Sequence, residues 1–226
     1  MLFRDLADRL AVARGQIASA VVRGGHGQSV EIVAVTKTHG PDAVTAAWSA
    51  GLTSVGENKV QEALNKMEQV QVPVAWHLIG HVQRNKARFV NRFALVHSMD
   101  SERLADALNA EMIERGLRLP VLVQVNVSGE ASKGGYSIEQ LRRGVDHLAT
   151  LGGLEVRGVM TMAPFDADAR ELRATFGGAR AAREVLREAG LAAPELSMGM
   201  SGDFELAVEE GATMVRLGTI LFGARA

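Results

Sequence analysis

Cysteine is missing from the 226-residue chain. Disulfides, thiolate nucleophiles and cysteine-held metals are excluded together, and the absence suits a reducing compartment. Aromatics are scarce, at 4%, with one tyrosine, Tyr136. No charge predominates: 25 Lys and Arg face 26 Asp and Glu, a net charge of −1, so no global field draws the chain to nucleic acid or to a membrane surface. No apolar run is long enough to span a bilayer. The opening MLFRDLADRLAVARG carries Arg4, Asp5, Asp8 and Arg9 where a signal peptide needs an uninterrupted apolar stretch. These absences predict a cytoplasmic protein with neither nucleic-acid nor membrane partners. A hydrophobic fraction of 47% excludes disorder, and the length suits one α/β domain over residues 1–226.

What is present is an alternation. Leu2, Leu6, Leu10, Ala13, Ile17 and Val21 recur at spacings of three and four, which predicts an amphipathic helix over 2–22, ended by Gly24, Gly25 and Gly27. Short apolar, β-branched runs follow at 30–37, 53–58, 75–80, 93–100, 119–128, 154–162, 195–201 and 213–218. Helical stretches separate them: 41–50 behind Pro41, 58–70, a basic segment reaching Asn91, one from the Asp100-Ser101 cap to Arg115, 137–150, 167–189 and one ending at Glu210. Strand–helix alternation implies parallel pairing with right-handed crossovers. Eight units predict a closed (β/α)8 TIM barrel with an extra N-terminal helix, with a doubly wound open sheet as the alternative.

In such a barrel function gathers at the C-terminal ends of the strands. Those ends carry Lys37, Glu57, Asn58, His77, His81, His97, Asn126, Met160, Met162, Met200, Ser201, Gly202, Arg216, Gly218 and Thr219, with Lys133 and Tyr136 in the loop after the fifth strand. A lysine held partly desolvated there is a nucleophilic amine whose natural chemistry is a Schiff base with a carbonyl; the alternative is a side chain that snorkels to solvent. Small residues in SMGMSGD and RLGT expose backbone N–H groups beside the hydroxyls of Ser201 and Thr219, an arrangement suited to an anion, although such glycines also simply make turns. Arg216 interrupts an apolar strand and either enters the barrel or packs under a helix. An amine, an anion site and a guanidinium together match the aldehyde, phosphate and ring nitrogen of pyridoxal 5′-phosphate (PLP).

The blocks AVTKTHGPD, VGENKVQEA, WHLIGHVQRNK, HSMDS, QVNVSGEASKGG, GVMTM and SMGMSGDFELAVEEGATMVRLGTILFGAR resemble, in order from about residue 30 to the end, the YggS/PROSC family of PLP-binding proteins. The resemblance implies a barrel like the N-terminal domain of alanine racemase, PLP fold type III. It implies Lys37 as the Schiff-base lysine; Ser201, Gly218 and Thr219 as phosphate contacts; Arg216 facing the pyridine nitrogen; and Asn58 and Met200 as pocket neighbours. It further implies a carrier in cellular PLP supply and homeostasis rather than an enzyme with established turnover, making transient contact with apo PLP-dependent enzymes. A fold type III amino acid racemase is the alternative. Racemases of this fold use a second base, a tyrosine on an additional domain; the chain ends straight after the eighth strand, and its only tyrosine, Tyr136, reads either as a mouth residue or as a loop aromatic in a solvated turn. A cofactor-free aldolase using Lys37, and a metal hydrolase using His77, His81, His97 and Glu57, are further rivals. The basic run over 81–92 could steer acidic partners or form a solvated face. Outer helices of ordinary amphipathicity predict a monomer.

Overall fold

Eight short strands, each of three to seven residues, lie side by side in parallel and follow one another in sequence order around a closed barrel. The computed structural model describes residues 3–130 and 134–223. In chain order the elements are α1 (Leu6–Gly24), β1 (Glu31–Val35), α2 (Pro41–Ser49), β2 (Ser54–Glu57), α3 (Val60–Gln69), β3 (Ala75–Leu78), a 3-10 helix (Arg84–Arg92), β4 (Leu95–Met99), α4 (Glu102–Glu114), β5 (Leu119–Gln124), α5 (Ile138–Thr150), β6 (Leu154–Met160), α6 (Ala169–Glu188), β7 (Glu195–Ser197), α7 (Phe204–Glu209), β8 (Met214–Leu217) and α8 (Thr219–Phe222). β1 pairs with β8, Val33 opposite Arg216 and Ala34 opposite Leu217, which closes the ring. The (β/α)8 expectation holds, and the open-sheet alternative falls.

Alternation along each strand divides the side chains into two sets. On β1, Ile32 and Ala34 join the large core between strands and helices, so Val33 and Val35 face the barrel interior. On β8, Val215 and Leu217 belong to that outer core, while Met214 packs in a small inner layer with Leu95, Leu122 and Met160. Arg216 has Met214's parity and therefore points inward.

Three expectations change. The segment predicted over 119–128 leaves the sheet after Gln124, because the Asn126 side chain accepts the Gly129 N–H and donates to the Glu130 carbonyl, closing a loop. The basic segment winds as a 3-10 helix rather than an α-helix: Ala87, Val90 and the following Phe93 are its buried positions, and a spacing of three aligns only at three residues per turn. The N-terminal helix begins at Leu6, and Leu2 lies outside the described residues.

Helix α1 is integral to the fold. It buries Leu6, Leu10, Ala13, Ile17 and Ala20 against α7 and α8, and Arg23 near its end pairs with Glu205 and Glu209 of α7. Helices α5 and α6 start in reciprocal capping boxes, Ser137 with Gln140 and Asp168 with Glu171, which satisfy two otherwise unpaired N–H groups each. Leu10→Ala should lower stability by about 2–5 kcal/mol. Val22→Ser, on the exposed face of the same helix, should change it by less than about 0.5 kcal/mol. Urea unfolding checks both, and equal midpoints for the two variants would show that α1 is a mere appendage.

Candidate functional site

At the C-terminal ends of the strands lies a cavity of about 720 Å³. Lys37, Asn58, Met200, Ser201, Arg216, Gly218 and Thr219 all line it. They come from the ends of β1, β2, β7 and β8, so barrel closure alone makes them neighbours.

Lys37 stands two residues beyond β1 and continues the inward parity of Val33 and Val35; it is half-buried. The chain turns at once, with Thr38 in the left-handed region at φ +69, a conformation costly for a β-branched residue. Both neighbours of Lys37 are tied down from the outer wall. The buried Thr36 hydroxyl donates to Glu57 Oε1 at 2.6 Å. Lys66 Nζ, on α3, donates to the Thr36 carbonyl at 2.9 Å, to Glu57 Oε1 at 2.7 Å and to Glu62 Oε1 at 3.1 Å. Glu62 Oε1 also accepts the Thr38 N–H at 2.9 Å. Burial pushes the Glu57 carboxyl upward, partly offset by the hydrogen bonds from Lys66 and Thr36. Burial works the same way on Glu62, but the Thr38 N–H and Lys66 outweigh it and hold that carboxyl low.

Arg216 forms the floor of the cavity at 4% exposure. Its Nη1 donates to the Ser197 carbonyl at 2.9 Å and the Ser197 hydroxyl at 2.7 Å, and its Nη2 to the Thr161 carbonyl at 2.9 Å. One N–H on Nη2 and that on Nε have no partner among the described residues. Burial pulls the guanidinium down to about 10, with Asp203 opposing, so it stays charged at neutral pH.

Below Arg216 a polar chain continues into the barrel. Ser197 Oγ meets His97 Nδ1 at 2.9 Å, and His97 Nε2 meets His77 Nδ1 at 2.9 Å. Burial depresses both rings: His97 well below its ordinary value, helped by His77 and Arg216, and His77 with Glu31 opposing and Arg157 assisting. Both are neutral. The consistent donor order runs from Arg216 to Ser197 Oγ, from the Ser197 hydroxyl to His97 Nδ1, and from His97 Nε2–H to His77 Nδ1.

The turns after β7 and β8 are joined by Ser201, whose Oγ accepts the N–H groups of Gly218 and Ile220, each at 3.3 Å. Among the described residues the N–H groups of Ser201, Gly202 and Thr219 donate to no protein acceptor, and all three residues line the cavity. Opposite, Gly80 lets the end of β3 approach β2: a Cβ there would stand 2.2 Å from the Asn58 carbonyl oxygen. Asn58 is thereby held at the cavity wall.

Other strand-end residues lie elsewhere. His77 and His97 sit inside the barrel beneath the cavity, not at its mouth, because their inward parity falls one layer below the strand ends. Glu57 and Met160 are buried in the outer wall and the inner layer. His81 does line the cavity, at its exposed edge, with Nδ1 2.8 Å from Asp100 Oδ2. Tyr136 belongs to neither predicted setting: its ring is buried in the outer core at 4% exposure, and it does not line the cavity. Among the described residues its hydroxyl has no partner, and burial, with Glu102, Asp100 and Asp106 adding, raises its pKa. Lys133 lies outside the described residues. Among the described residues no helix is long and apolar enough to cross a membrane, and no group of three or more His, Cys, Asp or Glu could hold a metal ion. Residue-by-residue reading missed Ser197 and Lys66. The signal for Ser197 was available: a polar residue on an apolar strand, beside the strand that carries Arg216.

Fold and cavity define a parallel barrel that turns an amine, an anion cradle and a buried guanidinium toward one ligand space. The family described as "Alanine racemase, N-terminal domain" matches residues 18–226. The pyridoxal phosphate homeostasis protein of Aquifex aeolicus (strain VF5) is 38% identical over 98% of this chain and 99% of its own. That of Pseudomonas aeruginosa is 40% identical over 97% of this chain and 96% of its own. The structure of PipY from Synechococcus elongatus PCC7942 with PLP bound superposes with a TM-score of 0.86 at 38% identity, covering 96% of this chain and all of PipY. The chain belongs to the alanine racemase N-terminal domain family, among its pyridoxal phosphate homeostasis proteins.

The buried histidines carry a pH signature. Below the ordinary histidine value of 6.5 the unfolded chain takes up protons that the folded one refuses. Stability therefore falls with falling pH, by up to about 1.4 kcal/mol per pH unit for each ring. His97→Gln removes one of these protons, so its stability should decline less steeply with acid than that of the native chain. Parallel pH profiles from urea titrations would contradict a neutral, buried His97.

Proposed function

We propose that this chain binds PLP in the mouth cavity, holds it covalently on Lys37, and serves PLP homeostasis as a carrier without turnover of its own. The observation that carries the reading is the convergence of Lys37, the Ser201 and Gly218–Thr219 turns, and Arg216 on one cavity. PLP bound in PipY, and the homeostasis role named for the curated relatives, support it. The chain is read as one PLP-binding domain over 1–226, monomeric and cytoplasmic, meeting apo-enzymes only transiently.

Bound there, the cofactor supplies an aldehyde on a phosphorylated pyridine. Lys37 Nζ would hold the aldehyde carbon through a C=N bond, one water leaving as that bond forms. The N–H groups of Ser201, Gly202 and Thr219, with the Ser201 and Thr219 hydroxyls, receive the phosphate. An N–H of Arg216 donates to the ring nitrogen. A guanidinium that keeps its own proton leaves that nitrogen unprotonated, which weakens the ring as an electron sink. Asn58 and Met200 shape the remaining wall. The racemase alternative requires an opposing base, and Tyr136, buried with a raised pKa, does not supply one. Attenuated electron withdrawal and no tyrosine facing the cavity favour holding over turnover.

PLP added to the native chain should give a visible Schiff-base band that borohydride fixes on Lys37, and Lys37→Ala should show none. Ser201→Ala should weaken PLP binding about tenfold. An adduct on any other lysine would refute the site. Chiral analysis after incubation of the loaded protein with amino acids should show no enantiomer conversion, and conversion of any one would establish the racemase instead.

A further inference from the structure

We infer that the Glu57–Lys66–Glu62 cluster, built around the buried Glu57–Lys66 pair, is a positioning device for Lys37, acting through the turn residues on either side of it. The inference rests on the reading of Lys37 as the PLP lysine. The cluster stands behind the amine, not beside it. Thr36 and Glu57 share the outward parity of their strands, and Lys66 reaches down from α3, so these groups lie on the far side of the barrel wall from the cavity; neither Glu57, Glu62 nor Lys66 lines it. They therefore touch no ligand. What they touch is the chain on either side of Lys37: the Thr36 carbonyl and side-chain hydroxyl before it, and the Thr38 N–H after it.

Two features separate this arrangement from ordinary wall packing. A buried ion pair is weak support for stability, because apolar side chains of similar volume would serve as well; Lys66 and Glu57 are 6% and 0% exposed. Thr38 also holds a left-handed φ of +69, and such a conformation persists only where its surroundings over-determine it. The bond from the Thr38 N–H to Glu62 does so, and Lys66 fixes that carboxylate. The turn in turn sets where the Lys37 side chain leaves the wall. Imine formation depends on the amine reaching the aldehyde carbon along a narrow path. Retention of phosphate and ring, by contrast, depends on β7 and β8.

That division gives the test. Two ligands are compared by equilibrium titration: PLP, and 4-deoxypyridoxine 5′-phosphate, which keeps ring and phosphate but has no aldehyde. Glu62→Ala removes the acceptor of Thr38 and leaves the Lys66–Glu57 pair intact; at 29% side-chain exposure it strands no buried charge. The imine-forming component of PLP binding should weaken about tenfold, while the aldehyde-free ligand binds within about twofold of the native value. Glu62→Gln, which still offers an oxygen to Thr38, should recover most of the loss. The double variant Glu57→Leu with Lys66→Met, which replaces the pair by apolar volume, should fold and show the same selective loss. Equal weakening of both ligands, or no weakening of either, would overturn the inference. Failure of the native chain to bind either ligand would overturn the PLP reading and this inference with it.

Discussion

The pairing of β1 with β8 is the constraint on which the site depends. Val33 opposite Arg216 sets the register, and from it everything at the mouth follows by counting. Two residues beyond β1 stands Lys37; just beyond β8 stand Gly218 and Thr219. First and last strands become neighbours only when the sheet closes, so an amine and an anion cradle from opposite ends of the chain meet by topology rather than by sequence. Register also settles inward and outward. A slip by one residue would turn Arg216 out under the helices and Lys37 away from the cavity.

A barrel interior is normally filled by apolar layers, and here one layer is: Leu95, Leu122, Met160 and Met214. Around it runs the polar chain of Arg216, Ser197, His97 and His77. A buried cation without partners would be strongly destabilising, so the guanidinium is held by two carbonyls and a hydroxyl, and that hydroxyl finds its own acceptor in a neutral imidazole. The result is a cation fixed at the cavity floor with N–H groups to offer, anchored from below and unable to retreat into solvent.

Much of this was legible in the sequence, and the rest was hidden for identifiable reasons. Eight β-branched runs with helical intervals announce a closed barrel, and residues at the ends of those runs, Lys37 and Thr219 among them, fall on the cavity because closure brings all strand ends together. Depth within the barrel was not legible: His77 and His97 look like mouth residues in a sequence whose apolar runs do not mark how far each strand sinks below the rim. The 3-10 winding of 84–92 was hidden because a single spacing of three, as between Ala87 and Val90, also falls on one face of an α-helix; only its repetition at Phe93 separates the two. Tyr136 was hidden because a glycine-rich flank suggests solvent, whereas its carbonyl accepts the Asn126 N–H and its own N–H returns to Gln124, folding the ring into the core. Lys66 was hidden because no local pattern signals that a carboxylate from a preceding strand lies beneath it.

The two buried ionic systems divide the work of the barrel wall. Inside, Arg216 and its chain determine what the cavity floor offers a ligand. Outside, Lys66 with Glu57 and Glu62 determines how the turn after β1 leaves the wall. Neither system could replace the other. An inward cation can address a ligand but cannot reach the backbone behind Lys37, and an outward ion pair can clamp that backbone but never meets the ligand. On the inference drawn above, separation by a single strand's thickness would let position and affinity vary independently. For the PLP carrier proposed here that independence matters, because a change in the reach of the amine then need not disturb the contacts to phosphate and ring.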